Sequence, residues 1–249
     1  MMPYLRQKKI LDIIYKNEVV SIELLQNNLQ DISASTLRRD LKKLEQEGKI
    51  ILLGGGAVKI ALSSEEIPVS VKENVYFDEK QSIAELANEI VEEGDVVYLD
   101  SGTTCSVLFE KIARKKITII TSNTNIFKNN ITIKAEIILL GGTLNYSLSS
   151  LNGEFTNENI KKFNYDKAFI GANGIDTITG IVSTPSIAEA SKKMAVISQA
   201  KNSYLLCDSS KFNKHFMTNA FKLDKCIVIS DKLDKEILKF TKMITPKFK

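Results

Sequence analysis

The sequence predicts an α/β protein in two parts. Residues 1–60 form three short helices and a glycine-centred β-hairpin, residues 61–75 a linker, and residues 76–249 a larger parallel α/β domain. Three observations carry this. Apolar residues recur at helical spacing up to residue 47, then give way to two short apolar runs on either side of Gly54-Gly55-Gly56. From Asp95 onward, short apolar runs alternate with amphipathic stretches, the pattern of a parallel sheet covered by helices. Nearly every one of those runs ends in small, hydroxyl or glycine residues.

Composition narrows the classes. The 249 residues are 43% hydrophobic, ordinary for a globular chain. No apolar run approaches the ~20 residues that span a bilayer, and the first residues lack the apolar core of a signal peptide. A cytoplasmic protein with no membrane partner is expected. Cys105, Cys207 and Cys226 show no C-x-x-C spacing and read as buried free thiols. With a single histidine, His215, no metal site, histidine triad or cofactor is expected. The net charge of +4 is unevenly spread: residues 1–60 hold ten Lys/Arg against seven Asp/Glu, clustered at Arg38, Arg39, Lys42 and Lys43.

Taken in order, Ile10, Ile13 and Ile14 mark one face of a first helix over Leu5 to Tyr15, and Asn17-Glu18 breaks the pattern. Val19-Val20 is a short pair able to staple or to join a later strand. Ser21 caps a second helix, Ile22 to Leu29, with Glu23 in its first turn. Ser33 caps a third, which runs to about Glu47 and stops at Gly48. In that third helix Leu37, Leu41 and Leu44 fall at i, i+4 and i+7 and must face the other two. Ser35, Thr36, Arg38, Arg39, Lys42 and Lys43 are left outside. Hydroxyls and guanidinium groups on an exposed helix face suit a DNA major groove: Arg forks onto guanine, and Ser, Thr and Lys take phosphates or bases. The runs 49–53 and 57–60 around the glycines then read as a wing.

The stretch Ser33-Ala34-Ser35-Thr36-Leu37-Arg38-Arg39-Asp40-Leu41, with Leu44, Gly48 and Gly55-Gly56-Ala57, resembles the signature of the DeoR family of transcriptional regulators. The resemblance implies a winged helix-turn-helix binding a double-stranded DNA operator through Ser33, Ser35, Thr36, Arg38, Arg39, Lys42 and Lys43. Two residues depart from the family pattern: Leu52 stands at its usual Arg and Gly54 at its usual His, both in or beside the wing. A winged helix that binds protein instead of DNA is the alternative.

Ala61 to Ser70 is polar and unpatterned, and Val71 to Asp78 is ambiguous. A helix opens at Glu79-Lys80 and closes at Gly94. Strands follow at Val96–Leu99, Ile117–Ile120, Glu136–Leu140, Ala168–Ile170, Tyr204–Cys207 and Cys226–Ile229. Between them lie helices over Cys105–Ala113, Asn125–Lys128, Glu154–Phe163 and Ile187–Ala200, with a last one at Asp234–Lys239. In open α/β sheets ligands bind beyond the strands' C-terminal ends. The loop Asp100-Ser101-Gly102-Thr103-Thr104 leads from strand to helix and offers backbone N–H groups and hydroxyls at a helix N-terminus, a ready anion site. A capped turn without ligand reads equally from that loop alone. No Gly-x-Gly-x-x-Gly or Walker sequence is present.

The resemblance extends through Leu99–Thr104, Leu139–Gly142, Ala168–Asp176 and Asp208–Phe212 and covers nearly the whole chain. It implies an effector domain resembling ribose-5-phosphate isomerase in fold, binding a phosphorylated sugar. The family's Glu-Ala-Glu-x-Lys appears as Glu189-Ala190-Ser191-Lys192-Lys193, with Ser191 replacing the second glutamate. Candidate effector contacts are Asp100, Ser101, Gly102, Thr103, Thr104, Ser122, Asn123, Gly141, Gly142, Gly171, Gly174, Asp176, Lys193 and Lys211. Phosphate would sit on Ser101–Thr104, with Lys193 and Lys211 supplying positive charge and Asp100 and Asp176 accepting from hydroxyls. Asp176 also reads as a turn stabiliser, and Lys193 as a solvent-facing helix residue. The function expected is repression of a sugar-metabolism operon by a homodimer or homotetramer. The alternatives are a sugar-phosphate isomerase-like enzyme or related hydrolase, and an activator or ligand-independent DNA binder.

Overall fold

The computed structural model describes residues 2–17, 19–47, 49–60, 69–73, 75–128 and 131–246. Two compact units divide after Val75. Expectations on Glu18, Gly48 and the stretch 61–68 lie outside the described residues.

In the first unit, helices α1 (Pro3–Asn17), α2 (Ile22–Asn28) and α3 (Ala34–Gln46) pack with strands β1 (Val19–Ser21), β2 (Ile50–Leu53) and β3 (Ala57–Ile60). Ile10, Ile14, Leu25, Leu37, Leu41, Leu44, Ile50 and Val58 form its core. Ser21 caps α2, its Oγ accepting from Leu24 N–H at 3.0 Å, and Ser33 caps α3. Val19-Val20 does join a later strand: β1 pairs antiparallel with β3, Val20 opposite Val58. β2 and β3 form the hairpin, Leu53 opposite Ala57. Its turn places Gly55 and Gly56 at φ +81° and +77°, a left-handed pair that residues with a side chain adopt only under strain. Val69–Lys72 forms a helical turn, α4, where a linker was expected.

In the second unit, a seven-stranded parallel sheet runs in the order β15-β14-β12-β9-β4-β5-β6. Its strands are β4 (Val96–Leu99), β5 (Thr118–Thr121), β6 (Glu136–Leu139), β9 (Tyr165–Gly171), β12 (Ala200–Leu206), β14 (Ile227–Ile229) and β15 (Met243–Ile244). Side chains alternate by strand period. Val97, Leu99, Ile119, Phe169 and Tyr204 pack on one face with α5 (Phe77–Ile90) and α6 (Thr103–Ile112). Tyr98, Ile120, Ala168, Ile170 and Leu205 pack on the other, where α7 (Glu154–Ile160) and α8 (Ile187–Gln199) lie. Full burial of such side chains contributes ~1.5–3 kcal/mol each.

Two smaller sheets were not expected. The hairpin β7 (Thr143–Asn145) and β8 (Ser150–Asn152) follows β6. An antiparallel trio joins β10 (Gly174–Asp176), β11 (Ile181–Thr184) and β13 (Thr218–Lys222). The expected loop Gly171–Asp176 is therefore partly strand, because Gly174 to Asp176 pair with Asp176-side partners Ile181 to Ser183. The expected helices near Asn125 and after Asp234 are 3-10 turns at Thr124–Lys128 and Ile237–Lys239.

Candidate functional site

α3 buries Leu37, Asp40, Leu41 and Leu44, leaving Ser35, Arg38, Arg39, Lys42 and Lys43 exposed. Ser33 Oγ accepts from Thr36 N–H at 3.3 Å, donates to Thr36 Oγ1 at 2.9 Å and lies 3.1 Å from Ser35 Oγ. These three hydroxyls thus build the start of the helix. Among the described residues Arg38, Arg39 and Lys42 have no ion-pair partner, and Lys43 approaches Glu47 at 3.9 Å. Leu52 is half-buried against the unit's core, and Gly54 leaves the wing tip without a side chain.

Sequence reasoning missed what fixes α3 to α1. Asp40 lies inside the buried stripe. One of its oxygens accepts from Arg6 Nη2 at 3.1 Å and Gln7 Nε2 at 3.3 Å, and the other from Arg6 Nε. Burial would raise the Asp40 carboxyl, but the Arg6 and Gln7 hydrogen bonds prevail and hold it below the usual range. The signal was present: Asp40 falls at i+3 from Leu37 and i−4 from Leu44, an acid in an apolar seam.

In the second unit, β4 is the switch point of the sheet. The chain builds β5 and β6 on one side of it, then β9, β12, β14 and β15 on the other. Sheets of this kind bind ligands at the C-terminal ends of the strands on either side of such a point, here β4 and β9. Asp100 leaves β4 into this point. The two loops touch through glycines: a Cβ on Gly102 would stand 3.8 Å from Gly171 Cα, and Gly171 N–H donates to an Asp100 oxygen at 3.1 Å. Gly102 then begins α6 with no side-chain cap, so the first N–H groups of the helix, at Thr103 and Thr104, point out of its start unclaimed by a cap.

From α8, Lys193 forms an ion pair with Asp100. Lys192 is fully buried and donates to Ser150 Oγ at 2.7 Å, Ser101 Oγ at 3.0 Å and Glu189 Oε1 at 3.1 Å, with Asp100 Oδ1 at 3.9 Å. Ser101 Oγ donates to Ser150 Oγ at 2.8 Å, and Ser150 Oγ to Glu189 at 2.7 Å. Asp100, Glu189, Lys192 and Lys193 are each no more than 5% exposed, and their charges cancel. Burial works to raise the Asp100 carboxyl; Lys193 and Lys192 outweigh it and hold it down to about 2. Ser122 and Asn123 brace the loop from beneath. Tyr98 Oη and Ser122 Oγ lie 3.1 Å apart, and Asn123 Nδ2 donates to Ser106 Oγ at 3.0 Å and Asp100 O at 3.4 Å.

The structure therefore brings together Asp100, Ser101, Gly102, Thr103, Thr104, Ser122, Asn123, Gly171 and Lys193. Lys193 is not a solvent-facing residue. The remaining candidates lie in other loops and turns and in β10. A Cβ on Gly142 would stand 1.9 Å from Thr156 Oγ1 and 2.7 Å from Asn152 O, so β8 and α7 leave room only for glycine there, while one on Gly141 would meet the Phe155 ring at 2.7 Å. A Cβ on Gly174 would meet Lys214 O at 2.4 Å. Asp176 accepts from Ile178 N–H at 2.8 Å, Thr179 N–H at 3.1 Å and Thr179 Oγ1 at 2.5 Å, the turn-stabilising alternative. Lys211 ends the 3-10 turn Ser209–Lys211, which Asp208 caps. Lys192, Glu189 and Ser150 were not foreseen. The i, i+3 spacing of Glu189 and Lys192 on the face of Val196 was the available signal, and Ser150 carried none. All three cysteines are free and buried, burial pushing Cys105 and Cys226 up to about 12.

A winged three-helix unit with an unpaired basic helix face, followed by an α/β unit with a buried charged cluster at its switch point, defines a two-domain DNA-binding regulator. Residues 6–61 match the DeoR-like helix-turn-helix domain and residues 76–232 the DeoR C terminal sensor domain, and the chain belongs to the DeoR family of transcriptional regulators. It is 36% identical over 211 residues, 84% of this chain and 83% of the relative, to the uncharacterized HTH-type transcriptional regulator FruR of Bacillus subtilis. It is 32% identical over 240 residues, 94% of each chain, to the lactose phosphotransferase system repressor of Staphylococcus epidermidis. Among solved structures, ribose 5-phosphate isomerase A of Methanocaldococcus jannaschii matches 55% of each chain at 18% identity and a TM-score of 0.41, too distant to inform the chemistry. Among the described residues no helix is long and apolar enough to cross a membrane.

Proposed function

We propose that this regulator represses a sugar-metabolism operon and that a phosphorylated sugar, bound at the C-terminal ends of β4 and β9, sets its affinity for the operator. The observation that carries this is the meeting, at one switch point, of the uncapped α6 N-terminus with the Asp100–Lys193 ion pair. A phosphate accepts from the Thr103 and Thr104 N–H groups and the Thr103 hydroxyl; the Ser101 hydroxyl is already given to Ser150. Because the cluster is neutral, an arriving dianion competes with Asp100 for Lys193, and the released carboxylate is then an acceptor for sugar hydroxyls. That exchange moves α8 relative to the β4 loop, which gives the two ligation states different structures, as any effector must. A homodimer or homotetramer presents two winged helices to half-sites about one DNA turn apart or a multiple of it.

The test is a thermal-shift screen against paired phosphorylated and free sugars. A ligand held only by the folded state stabilises by ~2.7 kcal/mol at a hundred times its Kd. A shift with one sugar phosphate and none with its free sugar is the expected result. No shift with any phosphorylated sugar overturns the effector class.

A further inference from the structure

Resting on the DNA-binding reading of α3, we propose that base recognition is concentrated in Arg39, and that Arg38, its neighbour in sequence, is a phosphate clamp on the wing side. The phase of the helix separates them. At 100° per residue, the direction opposite the buried stripe Leu37, Asp40, Leu41 and Leu44 is held by Ser35, Arg39, Lys42 and Gln46, all within about 30° of it. These residues point to the floor of a groove that α3 enters. Arg38 lies about 70° to one side, and Lys43 about 70° to the other.

The side that Arg38 takes is identified by a contact. Glu45, on the same flank two turns later, accepts the Leu52 N–H of β2 at 3.1 Å. That flank faces the wing. When a helix lies in a groove with a hairpin beside it, the sugar-phosphate ridge bordering the groove runs between the two, so Arg38 meets phosphate and not base edges. The wing tip, Gly54 to Gly56, has no side chain with which to read a base. Arg39 is also left available. Its neighbour Asp40 has both oxygens taken by Arg6 and Gln7, and Arg39 has no ion-pair partner among the described residues. Of the four outward residues only Arg39 offers the rigid fork that binds guanine O6 and N7 together. Ser35 already lies 3.1 Å from the cap hydroxyl of Ser33.

The experiment is selection of bound duplexes from a random-sequence pool by the full chain, followed by salt titration of the winning site, for wild type, Arg39→Ala, Arg39→Lys and Arg38→Ala. All three substitutions are on exposed side chains, and unchanged circular dichroism confirms folding. Wild type selects a motif. Arg39→Ala flattens one base-pair position per half-site, losing a discrimination of about 5- to 150-fold there. Arg39→Lys does not restore it, because an ammonium has no fork. Arg38→Ala selects the wild-type motif, binds all duplexes more weakly, and lowers the slope of log K against log salt by about 1. The inference is overturned if Arg38→Ala changes the motif while Arg39→Ala leaves it intact, or if both only weaken binding uniformly. A wild-type chain that selects no motif removes the DNA-binding reading itself, and this division with it.

Discussion

Replacing Lys192 with methionine removes the cation that pairs with Glu189 at 3.1 Å while keeping nearly the same volume. Lys192 is 0% exposed. Its three N–H groups go to Ser150 Oγ, Ser101 Oγ and Glu189 Oε1 at 2.7, 3.0 and 3.1 Å. Removing one partner of a buried pair costs ~3–5 kcal/mol, because the other charge stays buried without compensation. Here Glu189 keeps the hydrogen bond from Ser150 Oγ at 2.7 Å, which places the cost at the lower end, about 3 kcal/mol. For a unit of this size that is a fall of roughly 6–12 °C in Tm. The double variant Lys192→Met/Glu189→Gln removes both charges and should recover most of the loss, since a buried pair replaced as a pair is often neutral. The assay is urea denaturation followed by a probe in the second unit, so that unfolding of the first does not blur the transition. A Lys192→Met variant within ~0.5 kcal/mol of wild type, or a double variant no better than the single, would refute the claim that the cluster is held by charge balance.

The same cluster predicts an acid limb. The Asp100 carboxyl is held down to about 2 from an ordinary 3.8, so its contribution is complete above about pH 4 and is lost as pH falls through about 2. That is about 2 kcal/mol, and Asp100→Asn should flatten this part of the stability–pH curve. Asp40→Asn should lower the unfolding midpoint of the first unit and leave the second unchanged when each is followed by its own probe. It strips the buried Arg6 of its countercharge, and its carboxyl, held low by Arg6, likewise loses its contribution in acid. Gly174→Ala must displace Lys214 O, which a Cβ would meet at 2.4 Å. Overpacking of this kind costs ~1–3 kcal/mol, visible in a melt without any ligand present.

Much of the sheet was legible because its strands are apolar runs of three or more residues bounded by turn residues. Six of the seven parallel strands read that way, from Val96–Leu99 to Ile227–Ile229. The seventh, Met243–Ile244, is two residues long and too short for any periodicity. The hairpin β7–β8 was hidden because Thr143 to Asn145 are only three residues, all exposed, with one apolar side chain between two polar ones, and it seats against Ser122 and Asn123. The trio around Gly174 was missed because Gly171–Asp176 has loop composition, and long-range pairing with Ile181–Ser183 overrides it. At the site, the strand-to-helix loop announced itself through Ser101–Thr104. Lys192 did not, because a lysine in an amphipathic helix normally faces water. Ser101 and Ser150, from two other elements, join Glu189 of its own helix in giving it reason to turn inward.

The central claim is that the charged switch point reads a sugar phosphate and passes the result to DNA. The most direct measurement is the operator Kd by fluorescence anisotropy, at fixed salt, with and without the sugar phosphate found by the thermal screen, for wild type and Thr103→Val. The account predicts a 5- to 150-fold change in wild-type Kd. It also predicts a Thr103→Val chain that binds operator normally but needs a higher concentration of the sugar phosphate for the same change. A sugar phosphate that binds and leaves the operator Kd unmoved, or a Thr103→Val chain that responds at the wild-type concentration, would contradict it.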